Sequence, residues 1–158
     1  MKETSVKAQD APMRILIADD HPLFRGALRQ SLGGLMGAPD IREAGTLDDV
    51  REALAEGPDA DLLLLDLNMP GMRGFSGLTY LRAQFPHVPV IVVSANEDPA
   101  VIRSCIAFGA AGFIPKTLDV AGIGAAIRAV LGGIYRAGGL IALTRRLTIE
   151  KLYLDATH

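Results

Sequence analysis

Four consecutive leucines, Leu62 to Leu65, run straight into Asp66, and Leu67, Asn68, Met69, Pro70 and Gly71 follow. An apolar run without polar alternation suits a strand buried on both faces of a parallel sheet, and such sheets bind ligands beyond the carboxyl ends of their strands. A helix can also carry four leucines, but Pro58 before the run and Pro70-Gly71 after it limit the segment to strand length. Asp66 therefore stands where chemistry is expected.

A second short apolar run, Arg14 to Ala18, ends in Asp19 and Asp20. If the two runs are neighbouring parallel strands, three carboxylates converge on one edge of the sheet. Convergence of like charge is costly unless a cation is present, so the pattern predicts a bound metal.

The rest of the chain keeps the same rhythm of short apolar runs and helical patterns. A helix is expected from Pro22, with Phe24, Ala27, Leu28, Ser31 and Leu32 at helical spacing and Gly33-Gly34 where the pattern fades. A weak strand at Ile41–Ala44 precedes a helix capped by Thr46 that carries Val50, Ala53 and Leu54. The strand closing at Asp66 is followed by a helix from Phe75 to Phe85, ended by Pro86. Val90–Val93 form a fourth strand with Ser94 next, and Asp98-Pro99 open a helix through Cys105. Gly112–Ile114 form a fifth strand before Pro115 and Lys116, and Asp119 caps a last helix with Val120, Ile123, Ile127, Val130 and Leu131 facing inward. Strands alternating with helices in this way argue for an α/β fold, an open parallel five-stranded sheet with helices on both faces.

That fold gathers Asp19, Asp20, Asp66, Ser94 and Lys116 at one edge, because each follows a predicted strand. An isolated aspartate after a strand is usually a turn residue or a helix cap, and a lone serine or lysine there is usually solvated. Five such residues of these types on separate strands make coincidence a poor explanation. Three carboxylates, one Mg2+ and the Lys116 ammonium balance to zero net charge, and Mg2+ is a hard ion that prefers oxygen ligands. Asp20 and Asp66 can supply carboxylates, Asp19 can hold a metal-bound water, and the backbone carbonyl of Asn68 can add a ligand. Asp66, closing the long buried strand, is the best nucleophile for an aspartyl phosphate, with the metal, Lys116 and the Ser94 hydroxyl stabilising phosphoryl oxygens. His21 is read as a helix-entry loop residue rather than a ligand, and Phe113 as a core aromatic.

Bulk properties narrow the class. At 158 residues, 49% apolar and 22% charged, the chain supports one globular domain with a substantial core. The net charge of −2 gives no general pull toward nucleic acid or anionic membrane, and no apolar stretch approaches the roughly 20 residues of a membrane span. With no signal-peptide core at the start, a cytoplasmic location is expected. The single Cys105 rules out an internal disulfide and is expected to be a packed thiol.

The segments ILIADDHPLFR, LLLLDLNMPGM, VIVVSA and GFIPK together resemble the receiver domains of two-component response regulators, most closely the NarL/LuxR (FixJ) subgroup, over about Met13 to Gly139. The resemblance implies the flavodoxin-like fold of CheY, strand order 2-1-3-4-5. It implies Asp66 as phosphoacceptor, Asp19 and Asp20 as metal-site acids, Ser94 as the switch hydroxyl, Lys116 as the phosphate-sensing lysine and Phe113 as the switch aromatic. It further implies a sensor histidine kinase or a small phosphodonor as the source of phosphate, and a switched protein-interaction surface; homodimerisation is left open.

Within this reading, residues 1–13 form a flexible leader, 14–138 the receiver, and 139–158 a tail or linker. The subgroup usually continues into a helix-turn-helix module of roughly sixty residues, whereas 19 residues follow Gly139, too few to hold one, so this segment is not expected to bind nucleic acid. Two readings follow, the N-terminal part of a LuxR-type transcriptional regulator or a stand-alone receiver. In the tail, Ile149, Leu152, Tyr153 and Ala156 have the spacing of a short amphipathic helix, with a frayed terminus as the equal alternative. A haloacid dehalogenase-like phosphohydrolase also uses a nucleophilic aspartate after a buried strand, but its general acid two residues later is replaced here by Asn68, which cannot serve. No G-x-G-x-x-G or G-x-x-x-x-G-K-[ST] follows a predicted strand, which argues against a nucleotide-binding module.

Overall fold

The computed structural model describes residues 12–57 and 59–136, so residues 1–11 of the expected leader and the tail stripe at Ile149, Leu152, Tyr153 and Ala156 lie outside the described residues. In chain order the elements are β1 (Arg14–Ala18), α1 (Pro22–Met36), β2 (Asp40–Ala44), α2 (Leu47–Ala55), β3 (Leu62–Leu65), α3 (Ser76–Gln84), β4 (Val90–Ser94), α4 (Pro99–Ala107), β5 (Gly112–Pro115) and α5 (Val120–Arg136). The strands form one parallel sheet in the order β2-β1-β3-β4-β5, as the family resemblance implied. The order reverses between β1 and β3, and crevices in open α/β sheets form at that point.

The tetraleucine strand is buried at every position, and its alternate residues face opposite layers. Leu62 and Leu64 join Leu28 and Leu32 of α1 and Ile123, Ile127 and Val130 of α5 in one core. Leu63 and Leu65 join Val50 and Leu54 of α2, Leu78 and Leu81 of α3, and Ile102 and Cys105 of α4 in the other. The unalternating sequence is thus explained by burial on both faces.

Local signals set most element ends. Thr46 caps α2 by accepting from Asp49 N at 3.1 Å, and Asp98 caps α4 by accepting from Ala100 N at 2.9 Å. Pro22 and Pro99 occupy first-turn positions, where a missing N–H costs nothing. Two sequence expectations are corrected. α1 does not fade at Gly33-Gly34 but runs to Met36 and stops at Gly37, whose φ of 64° supplies the left-handed cap. The two glycines are tolerated because Leu28 and Leu32 anchor the helix to the core. Ser94 and Pro115 are the last residues of β4 and β5 rather than the first beyond shorter strands, because they remain paired in the ladder.

Candidate functional site

Strand register brings the candidate residues together. Ala18 of β1 pairs with Leu65 of β3 and with Ala44 of β2, so Asp19 and Asp66 leave the sheet side by side. Two further backbone bonds hold them there: Asp66 N donates to Ala18 O and Asp19 N to Ala44 O, each at 2.9 Å. Ser94 pairs with Pro115, and Lys116 N donates to Ser94 O at 2.9 Å, which carries the lysine to the same edge.

At that edge Lys116 Nζ lies 2.6 Å from Asp19 Oδ2 and 3.2 Å from Asp66 Oδ2. Both aspartates are 2% exposed, so these are ion pairs in a largely dry setting. Burial works to lower the lysine's pKa, but the close contact with the Asp19 carboxylate and the charges of Asp66 and Asp19 outweigh it, and the ammonium is held above its ordinary value. The Phe24 ring lies 4.6 Å beneath the same ammonium. Phe24 was expected only as a core position of α1; that it also faces the site through the lysine had no signal in its spacing.

The remaining oxygens are partly committed. Asp66 Oδ1 accepts from Asn68 N at 3.1 Å, a bond that turns the chain sharply after β3. Asp19 Oδ1 accepts from His21 N at 2.9 Å and faces His21 Nδ1 at 2.7 Å, while that nitrogen lies 3.1 Å from Asp20 Oδ1. His21 is therefore more than a loop residue, since its ring bridges both acids. Asp19 Oδ2 is buried and, despite the close ammonium, accepts no hydrogen bond of acceptable geometry. Ligand atoms of Asp19, Asp20, His21 and Asp66 lie within 4.8 Å of one another. An oxygen-rich cluster with an orphaned buried carboxylate oxygen fits a divalent cation, and a hard one.

Ser94 and Phe113 are placed differently. The Ser94 side chain is 1% exposed and its Oγ accepts from Asn96 N at 3.1 Å, so the hydroxyl proton is free to donate. It shares the site's edge but makes no hydrogen bond to Asp66. Phe113, opposite Val92 in the sheet, is 2% exposed and belongs to the same core cluster as Leu78, Leu81 and Ile102. The backbone of Asn68 lies beside Asp66 through its N–H, and its side chain is exposed. The loop that follows is fixed from outside: Leu47 N donates to Pro70 O at 3.1 Å, and Gly71, at φ 91°, leaves just the space that Leu47 needs, 3.1 Å from where a Cβ would stand.

Residues 15–128 match the family model described as the response regulator receiver domain. The chain belongs to the response regulator receiver family. Among curated relatives, this receiver is 42% identical over 120 residues to a glycerol metabolism activator of Pseudomonas putida, covering 76% of this chain and 54% of that protein. It is 36% identical over 110 residues to the nitrate/nitrite response regulator NarL of Escherichia coli, covering 68% and 50%. The receiver chain thus spans about half the length of these curated relatives. Among solved structures it resembles the non-phosphorylated receiver domain of the stress response regulator RcsB from Escherichia coli, with a TM-score of 0.69, 27% identity, and 78% and 95% of the two chains covered. A LuxR family DNA-binding response regulator from Silicibacter pomeroyi gives 0.67 and 30%, with 77% and 93% covered. This is a receiver domain of the two-component response regulators, related to their NarL and LuxR types, and no described helix is long and apolar enough to cross a membrane.

Proposed function

We propose that this receiver accepts a phosphoryl group on Asp66 in a Mg2+-dependent reaction and so switches a protein-interaction surface. The observation that carries the reading is the meeting of Asp66, Asp19, Asp20 and Lys116 at one sheet edge, with a buried Asp19 oxygen lacking a hydrogen bond. Asp20, Asp66 and the Asn68 backbone carbonyl would hold Mg2+ directly and Asp19 through water; the ion would neutralise carboxylate charge and draw phosphoryl oxygens into place.

The chain's own groups supply the remaining steps. A carboxylate oxygen of Asp66 bonds to phosphorus as the bond from phosphorus to the donor's leaving atom breaks; that atom departs with the electron pair and takes up a proton. Lys116, already 3.2 Å from Asp66, moves its ammonium onto a phosphoryl oxygen, and Ser94 donates its free hydroxyl proton to another. Loss of the Lys116–Asp66 pair and the new demand on Ser94 alter the ends of β4 and β5. Phe113, paired with Val92 and now in the core, is the aromatic proposed to respond.

The phosphodonor proposed is a sensor histidine kinase in the cytoplasm, in keeping with the receiver family. The output proposed is transcriptional, through a DNA-binding domain of a longer LuxR-type regulator, because the relatives NarL and the glycerol metabolism activator are about twice as long as the region they share with this chain. A stand-alone receiver acting through protein contacts, with or without homodimerisation, is the alternative. The decisive experiment incubates the chain with acetyl phosphate and Mg2+ and reads intact mass. One added phosphoryl group is expected, lost in Asp66→Asn and in excess chelator; an unchanged wild-type mass overturns the proposal.

A further inference from the structure

The backbone of Asp19 is held at both its N–H and its C=O, the latter being the carbonyl of the peptide that joins it to Asp20. Asp19 N donates to Ala44 O at 2.9 Å, and Asp19 O accepts from Arg25 Nη1 at 2.6 Å. Because a peptide group is planar, fixing that carbonyl also fixes the direction in which Asp20 leaves it. Arg25 in turn is anchored, since its Nε donates to Glu43 Oε1 at 3.0 Å and its side chain is 19% exposed. The other Glu43 oxygen is taken by Arg29 Nε at 2.7 Å, so the carboxylate is gripped on both sides. Gly45 leaves room for the guanidinium: a Cβ there would stand 3.3 Å from Arg25 Nη1 and 4.0 Å from Asp19 O.

A bland role for Arg25 would be to tie α1 to β2. Arg29 already does this, donating to Glu43 and, through Nη2, to Ile41 O at 2.9 Å. What Arg25 adds is the bond to Asp19. We infer that Arg25 is a positioning residue for the divalent-cation site, holding the Asp19–Asp20 peptide so that both carboxylates converge with Asp66. The inference rests on the Mg2+-dependent reading of the site.

Charge and geometry oppose each other here, which makes the test sharp. Removing a positive group close to a cation site should, by Coulomb's law alone, tighten cation binding. Removing a group that orients ligands should weaken it, and outer-shell partners of metal ligands are worth about tenfold or more in affinity. Isothermal titration of the full chain with MgCl2 at fixed pH is therefore expected to give binding about tenfold weaker in Arg25→Ala, and within about twofold of wild type in Arg29→Ala. Arg29→Ala removes the same kind of Glu43 pair without touching Asp19, so a merely structural role predicts equal losses. Gly45→Ala, which changes no charge and crowds Nη1, is expected to weaken binding in the same direction and carries the test if Arg25→Ala does not fold. Affinity in Arg25→Ala and Gly45→Ala at or above that of wild type, or an equal loss in Arg29→Ala, overturns the inference alone. A wild-type chain that binds no Mg2+ overturns the metal reading and the inference with it.

Discussion

Replacing Lys116 with methionine removes one charge from between two buried carboxylates while keeping an apolar stem over the Phe24 ring. The ammonium lies 2.6 Å from Asp19 Oδ2 and 3.2 Å from Asp66 Oδ2, and each aspartate is 2% exposed. Asp19 Oδ2 accepts no hydrogen bond that would remain after the substitution. Breaking a buried ion pair by deleting one partner costs about 3–5 kcal/mol. Two features favour the lower end: the lysine side chain is 15% exposed, and His21 stays on the other Asp19 oxygen. A loss of about 3 kcal/mol, or roughly 10 °C in melting temperature for a domain of this size, is expected in chelator. Urea and thermal denaturation followed by circular dichroism read both.

Two internal checks sharpen this prediction. In double-mutant cycles, Lys116 should couple more strongly to Asp19 than to Asp66, because the Asp19 contact is shorter. The pH dependence has a defined sign. A lysine whose folded pKa is raised contributes stability that is fully present below its unfolded value and is lost as pH rises through the folded value. The deficit of Lys116→Met should therefore persist at neutral pH and shrink in strong alkali. A Lys116→Met chain as stable as wild type in chelator at neutral pH refutes the reasoning, because the carboxylates would then not need the ammonium.

Two further outcomes are expected. Cys105, fully buried on α4 with its thiol pushed up to about 11 by burial, should resist iodoacetamide near pH 8 in the native chain and react fully in denaturant; fast native labelling would contradict its packing. For Glu43, partial burial works to raise the pKa, but hydrogen bonds from Arg29 and Arg25 and their charges outweigh it and hold the carboxyl below its ordinary range. Its stabilisation is present above glutamate's unfolded value and fades as pH falls through the lower folded value, so the stability gap between wild type and Glu43→Gln should close in that acid window; a constant gap would show that charge is not its source.

The sheet was legible because burial on both faces leaves a plain trace: Leu62–Leu65 and Val90–Val93 admit no polar residue, and a proline, Pro58 or Pro89, precedes each. Helix starts were equally readable where a side chain caps its own backbone, as at Thr46 and Asp98. The C-terminal end of α1 was not, because Gly33-Gly34 signals a local cost that the packing of Leu28 and Leu32 overrides. That Asp19, Asp66 and Lys116 would meet could be inferred from their strand-end positions, since parallel register alone brings such positions to one edge.

The residues that support the site were invisible for the complementary reason. Arg25, Phe24 and His21 act through directions that periodicity does not encode: a guanidinium reaching a carbonyl, a ring beneath an ammonium, and an imidazole between two acids. Their one shared trait in the sequence is that they occupy the turn and first helical turn directly after Asp19-Asp20. A short loop between β1 and α1 leaves these side chains little choice but to fold back over the carboxylates they follow. The same shortness makes the site sensitive to α1 as a whole, because any shift of that helix is passed to Asp19 through Arg25 and to Lys116 through Phe24. The acids and the lysine supply the charge of the site, and the first turn of α1 sets its geometry.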